Sequence, residues 1–329
     1  MKVNRLVEAI LCVAIMLVMV LVGCSQTKED IKSDPPVSAT EQPGNQADEV
    51  DKGSVEDGSV VKEWACPKGT HGSSMVLIPV SEGVPYCIDA NLATYGDYKW
   101  FVEKQGSDFS GQPPECEWNK DWGPVSIWEE PGDPDRHPWK CGPSLAEADP
   151  NLSLYCVDFC DAWTFCSAMG KRLCGLRGAD NSKVSFVKVG DWYESGTRAE
   201  ELVITVESEW FNVCSQGGNS KYPYGDELRE GVCVDKSTLA DRGDSAYLAG
   251  DSVGSECKGS TPPYDQVYNM SGGRSQWVNV CYDERWCHFY AGQFAIETLS
   301  CETMGSTSMR EFRRGVRCCA DAVPGIAGE

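Results

Sequence analysis

The chain has 329 residues, with 50 Asp and Glu against 29 Lys and Arg, a formal charge of −21. Beyond its first residues the only grouped cations are Arg310, Arg313, Arg314 and Arg317, so no nucleic-acid partner is expected, and the acidic balance reads as solubility. Eighteen Cys, eleven Trp and twelve Tyr point instead to a body built from disulfides and aromatic loops.

Lys2 and Arg5 precede an apolar run, Leu6 to Val22, interrupted by Glu8, that ends in "LVGC" at 21–24. A basic start, an apolar core and small residues before a cut describe an export signal. The run is about 17 residues, at the lower limit for crossing a bilayer, so an uncleaved membrane anchor is the competing reading. Leu-Val-Gly-Cys resembles the lipobox of bacterial lipoproteins. That resemblance implies removal of residues 1–23 as a signal peptide and lipid, palmitate included, on Cys24. It also implies a place in the bacterial cell envelope, anchored to the membrane by that lipid. Ser25 after the Cys implies the outer membrane. Residues 24–62 have no aromatic residue and are rich in Asp, Glu, Ser, Pro and Gly. Such a segment cannot bury enough apolar surface to order itself, so it is read as a disordered acidic tether. The folded body is expected over 63–320, followed by a tail over 321–329.

Within the body, "SMVLIPV" (74–80) is apolar and β-branched and predicts a first strand. "TYGDYKWFVEKQG" predicts a helix from Thr94, with Thr94 and Asp97 as a capping box, Tyr98, Phe101 and Val102 as the buried face, and Gly106 as the stop. "DFCDAWTFCSAMGKRL" predicts a second helix, capped by Asp158 and stopped by Gly170. A third short helix is expected to begin ahead of "ESEWFNVC". The stretches between, such as "EEPGDPDRHP" and "SQGGNSKYPYGD", are turn-rich. Glu129, Glu130, Asp133 and Asp135 form an acidic turn, read as a solvated loop.

Cys12 leaves with the leader and Cys24 takes the lipid. Sixteen cysteines remain in an exported chain, which favours a disulfide framework. The candidates are Cys66, Cys87, Cys116 and Cys141, then Cys156, Cys160, Cys166 and Cys174. Cys214, Cys233, Cys257 and Cys281 follow, then Cys287, Cys301, Cys318 and Cys319. Connectivity is not legible, but two pairings are excluded. Adjacent Cys318 and Cys319 have Cα atoms about 3.8 Å apart, shorter than the usual bridge. Cys160 and Cys166 on one helix are separated by a rise of about 9 Å, too far for one bridge. All four need partners elsewhere.

Taken in order, these stretches resemble the formylglycine-generating enzyme family, or sulfatase-modifying-factor domains. "MVLIPV" and "ATYGDYKWFV" are similar to its opening, and "VDFCDAWTFCSAMGKRL" to its helix ending in Gly-Lys-Arg-Leu. "ESEWFNVCSQGGNSKYPYGDE" is similar to its Glu-Trp helix followed by Tyr-Pro-Trp-Gly-Asp. "VYNMSGGRSQWV" is similar to its Met-Ser-Gly-Asn-Val-Trp-Glu-Trp loop, and "RRGVRCC" to its closing Gly-Phe-Arg-Cys. The extra cysteines and the insertion at 175–206 resemble a Cys-rich branch of exported bacterial members. The resemblance implies an α/β (α+β), loop-rich fold related to C-type lectins, here stapled by disulfides.

The resemblance also implies chemistry that can be checked residue by residue. Active members use two cysteines five positions apart to bind Cu(I) and activate oxygen, since soft thiolates select that ion. Cys301 lies in the corresponding stretch and is the one candidate catalytic residue, but Ile296 and Ser306 stand five positions away on either side. Cys287 is further upstream, and Cys281 and Cys287 are expected to be disulfide halves. The family's calcium loop reads Gly272, Gly273, Arg274, Ser275, Gln276, Trp277, with Gly for Asn and Gln for Glu. Ca²⁺ prefers carboxylates, so that site is expected to be lost or filled by hydrogen bonds. Asp235, in "GVCVDKS", is the candidate for the second calcium position, with a solvated turn as the competing reading. His71, His137 and His288 are scattered and lack the spacing of an iron site. No cofactor is expected; Ca²⁺ enters only through Asp235 and copper only through an active oxidase. Two functions remain: a lipid-anchored binding or scaffold module for an extracytoplasmic protein, peptide or glycan, or a formylglycine-type oxidase acting on a cysteine of a sulfatase-like substrate.

Overall fold

A computed structural model describes residues 63–124, 127–128, 139–140, 142–187, 205, 207–238, 256–290 and 299–325. All of them lie in the unit Val60–Glu329. The signal, the lipidation site and the tether fall outside the described residues, as do Cys141, His137 and the acidic turn at 129–135.

Strand β1 (Trp64–Ala65) opens the body. β2 (Met75–Ile78) follows, a little shorter than the sequence suggests, and then β3 (Tyr86–Asp89). Helix α1 (Tyr95–Gln105) carries the expected capping box. Thr94 Oγ1 accepts from the Asp97 amide at 3.1 Å, and Asp97 Oδ2 accepts from the Thr94 amide at 3.0 Å. Tyr95, Tyr98 and Phe101 form its buried face, and Gly106 at φ 58 ends it in a conformation that costs other residues strain. A 3-10 turn (Pro114–Cys116), β4 (Ile127–Trp128) and β5 (Trp139–Lys140) come next.

Helix α2 (Phe159–Ala168) is capped by Asp158, whose side chain accepts from the Asp161 amide. Seven of its ten residues are buried, so it is a core helix rather than an amphipathic one. β6 (Arg172–Leu173) follows. Helix α3 (Glu209–Cys214) starts inside "ESEWFNVC" rather than ahead of it. Ser208 is the reason: its hydroxyl accepts from the Phe211 amide and fixes the N-cap there. The chain then forms β7 (Gln276–Cys281), β8 (Trp286–Tyr290), β9 (Met304–Ser308), β10 (Cys318–Asp321) and β11 (Val323–Pro324).

Two antiparallel sheets organise these pieces: β2-β3-β10-β6 and β7-β8-β9. β1 pairs with β11 and β4 with β5. β10, from the end of the chain, inserts between β3 and β6, so the domain closes only when its last segment docks. Successive side chains of a strand point to opposite faces. Cys318 therefore enters one core cluster, with Tyr98, Phe101 and Phe165, and Cys319 enters the other, with Ile88, Trp210 and Tyr290. Cys318 bonds Cys166 of α2 and Cys319 bonds Cys174 beyond β6. Neighbours in sequence thus staple two different layers. Cys160 bonds Cys116, Cys66 bonds Cys87, and Cys233 bonds Cys257. Cys156 is also disulfide-bonded. The result is a mixed α/β, loop-rich, disulfide-stapled body.

Candidate functional site

The segment with the strongest chemical expectation runs through β7, Cys301 and β10. Cys301 is fully buried and bonded to Cys214 at the end of α3, with Cα atoms 5.5 Å apart. Its amide donates to the Lys221 carbonyl at 2.8 Å, which ties "SCET" to the turn after α3. Cys281 and Cys287 sit directly opposite each other in the β7–β8 pair and are bonded to each other. Each of these sulfurs is spent on another sulfur. A Cu(I) pair needs two thiolates, and the residues present do not fit it. Cys301 is thus not a reactive thiol, because α3 delivers Cys214 to it.

The loop that resembles a calcium site is organised by hydrogen bonds. Gly272, at φ 70, brings its Cα so close to Val234 that a Cβ would lie 2.4 Å from the Val234 oxygen. Gly273 N donates to that same oxygen at 2.8 Å. Gln276 is completely buried. Its Oε1 accepts from Trp210 Nε1 at 2.9 Å and from Arg317 Nε at 3.0 Å, and its Nε2 donates to the Asn269 carbonyl. The neutral amide thus satisfies two donors and one acceptor at once, leaving no side-chain oxygen to offer an ion. Arg274 lies with its guanidinium 4.2 Å over the Tyr155 ring.

Asp235 serves its own turn. Oδ2 accepts from the Gly231 amide at 2.7 Å, and Oδ1 accepts from Ser237 Oγ and the Thr238 amide. Burial pushes its carboxyl up, but these donors outweigh it and hold the group below the usual carboxylate range. Its donor set is that of a turn cap, with both carboxylate oxygens engaged within the turn. Among the described residues one group of metal-type side chains comes together: Cys174, Glu209 and Cys319. The two sulfurs are bonded to each other, and Glu209 is held by both terminal nitrogens of Arg172, at 2.7 and 2.6 Å, and by the Gly175 amide.

Two features of this region escape sequence reasoning. Arg317, from the closing motif, is fully buried and donates to the Asp89 and Tyr268 carbonyls as well as to Gln276. Burial lowers its pKa to about 10, with Asp89 opposing the fall. Beside it, Lys171 and Asp89 form a buried ion pair at 2.5 Å, with Lys171 Nζ also donating to the Ser73 carbonyl. Asp89 Oδ2 accepts from the Cys318 amide. Burial raises the Asp89 pKa to about 6 despite Lys171. Lys171 belongs to the "GKRL" motif, and that was the available signal, but nothing in sequence names its partner.

The two described histidines, His71 and His288, do not converge on a metal geometry. His71 stacks on Trp100 with centroids 4.4 Å apart. His288 is fully buried in β8, near Tyr282, and neither of its ring nitrogens has a hydrogen-bond partner of good geometry. At the tip of the β7–β8 hairpin, an open pocket of about 420 Å³ is lined by Phe186, Tyr282, Asp283, Glu284 and Arg285. Trp286 and Phe186 are exposed there.

The family model described as sulfatase-modifying factor enzyme 1-like domain matches residues 47–316. No curated protein matches the chain. Among solved structures the chain is similar to PvdO from Pseudomonas aeruginosa, at 15% identity and a TM-score of 0.41, covering 76% of this chain and 91% of that one. It is also similar to CarF, at 16% identity and a TM-score of 0.35, covering 77% of this chain and 96% of that one.

Proposed function

The chain belongs to the sulfatase-modifying factor enzyme 1-like domain family, and from that premise we propose that it is a lipid-anchored, exported member acting as a binding or scaffold module rather than as a thiol oxidase. The observation that carries this reading is the Cys214–Cys301 bridge. It occupies the sulfur in the stretch where active relatives keep a thiol, and no neighbour at the required spacing replaces it. The Gln276 amide, bonded on both ends, supports the same reading. Folds host many functions, so family membership alone does not confer oxidase activity.

The envelope location rests on sequence. "LVGC" marks Cys24 for lipidation, and the acidic tether after it gives the body reach from a membrane surface. A body stapled by this many bridges suits an oxidising, extracytoplasmic compartment. The partner is an extracytoplasmic protein, peptide or glycan.

Thiol titration of the mature full chain, denatured without reductant, tests the central point. None of the sixteen body cysteines is expected to react. Two reactive thiols that bind Cu(I) would overturn the reading in favour of a formylglycine-type oxidase. For the anchor, Cys24→Ala is expected to move the protein from the membrane fraction to the soluble fraction. An unchanged membrane fraction would reject lipidation at Cys24.

A further inference from the structure

The tip of the β7–β8 hairpin is held from several sides. Tyr282 N donates to the Trp286 carbonyl at 2.8 Å. Asp283 Oδ1 accepts from the Arg285 amide at 2.8 Å and from the Trp286 amide at 3.1 Å. Met309 N donates to the Arg285 carbonyl at 2.7 Å, which ties the tip to the end of β9, and the Cys281–Cys287 bridge closes its base. Phe186 is delivered alongside: Cys281 N donates to the Ser185 carbonyl and Val187 N to the Cys281 carbonyl, both at 2.8 Å. A surface fixed in this way loses little conformational freedom when a partner arrives, and pre-organisation of that kind favours binding.

Phe186, Tyr282, Asp283, Glu284 and Arg285 line the open pocket of about 420 Å³, within the size range of ligand clefts. Phe186 is 40% exposed, and Trp286, next to Arg285 in the chain, is 46% exposed. Aromatic residues grouped with Arg have the composition of an interface core. The carboxylates set the sign of the partner. Glu284 is exposed and has no hydrogen-bond or ion-pair partner among the described residues. Asp283 Oδ2 faces Arg285 Nη2 at 3.5 Å, in a pair whose side chains are 47% and 80% exposed. Such a pair contributes little and gives way to a better one. Behind Tyr282 lies His288, with ring centroids 4.4 Å apart. Burial holds its pKa at about 4, so at neutral pH it carries no charge to oppose a cation. A cation set against aromatic faces and two carboxylates gains from both.

We infer that this pocket is a docking site for a Lys or Arg side chain projecting from a partner protein. The cation engages Glu284 and Asp283 and releases Arg285 to solvent, while its methylene stem packs on Phe186 and Tyr282. Trp286 extends the contact beyond the pocket. This rests on the proposed binding role and names the chemistry of its partner.

The test is a nuclear magnetic resonance titration of the mature full chain with N-acetyl-lysinamide and N-acetyl-argininamide at constant ionic strength, with N-acetyl-glutaminamide as the neutral control. At least one cationic amide is expected to shift the Trp286 indole N–H signal saturably, and the neutral amide is not. Glu284→Gln and Phe186→Ala, both at exposed positions, are each expected to weaken this binding at least threefold with the fold retained. The inference is overturned by no saturable shift with either cationic amide, by equal binding of the neutral one, or by binding unchanged in either variant. Self-association of the free chain that Phe186→Ala abolishes would also overturn it, since the pocket would then serve a second copy of this chain. The thiol titration does not depend on these outcomes, so failure here leaves the Cys214–Cys301 reading standing.

Discussion

Gln276 and Arg317 meet at 3.0 Å in the centre of the domain, and the same Gln276 oxygen takes the Trp210 indole N–H. One neutral amide thus joins β7, α3 and the strand-forming end of the chain. Gln276→Ala would leave two buried donors without an acceptor, each costing about 1–3 kcal/mol. Gln276→Ala is therefore expected to destabilise the domain by about 3 kcal/mol in a urea titration. A loss under about 0.5 kcal/mol, the range of an inconsequential surface change, would show that the hub does not hold the fold.

The Cys214–Cys301 bridge closes a loop of 87 residues. Removing a native disulfide typically costs about 2–5 kcal/mol. The double substitution Cys214→Ser/Cys301→Ser is expected to lower the unfolding free energy by that amount while leaving the other bridges intact in a mass map of the oxidised chain. Each single variant should expose one reactive thiol on its orphaned mate. A single variant with no new thiol would mean that the two sulfurs are not partners.

Much of this frame is legible in the sequence. Thr94 with Asp97, and Asp158 with the Asp161 amide, are local signals, and they cap the helices where the pattern places them. Adjacent Cys318 and Cys319 require separate partners by geometry alone. Which partners they take depends on β10 inserting between β3 and β6, a pairing of segments more than a hundred residues apart that no local pattern encodes. Burial of Arg317, and its choice of Gln276 rather than a carboxylate, follow from that same long-range closure. So does the meeting of Arg274 with Tyr155: from sequence, Arg274 registers only as a charge in a loop.

The Lys171–Asp89 pair sits where α2 hands over to the sheet, and both side chains are almost fully buried. Breaking one side of a buried pair strands the other charge, at a cost of about 3–5 kcal/mol. Lys171→Met is expected to fall in that range. Adding Asp89→Asn to it should recover part of the loss, since the Asn oxygen can still accept from the Cys318 amide. The recovery is read from a double-mutant cycle of urea midpoints. Strict additivity of the two substitutions would mean that they do not interact.

His288 gives a pH dependence with a definite sign. Burial lowers its pKa from 6.5 to about 4, with the Gly305 backbone opposing the fall only in part. Between those values the unfolded chain binds a proton that the folded chain refuses, so this residue's contribution is complete above pH 6.5 and is lost as the pH falls toward about 4. At 1.36 kcal/mol per pKa unit the full loss is about 3 kcal/mol. Asp89 at about 6 and Asp158 at about 7, both raised by burial, act in the opposite direction. Their folded forms keep protons that the unfolded chain releases. The stability curve of the whole protein therefore mixes both signs, and the informative quantity is the difference between wild type and His288→Gln. The amide does not titrate, so the variant should gain on wild type steadily from pH 6.5 down to about pH 4 in urea midpoints taken at each pH. Parallel curves would mean that the imidazole is protonated in the native state as easily as in the unfolded one, which burial of the whole ring does not permit.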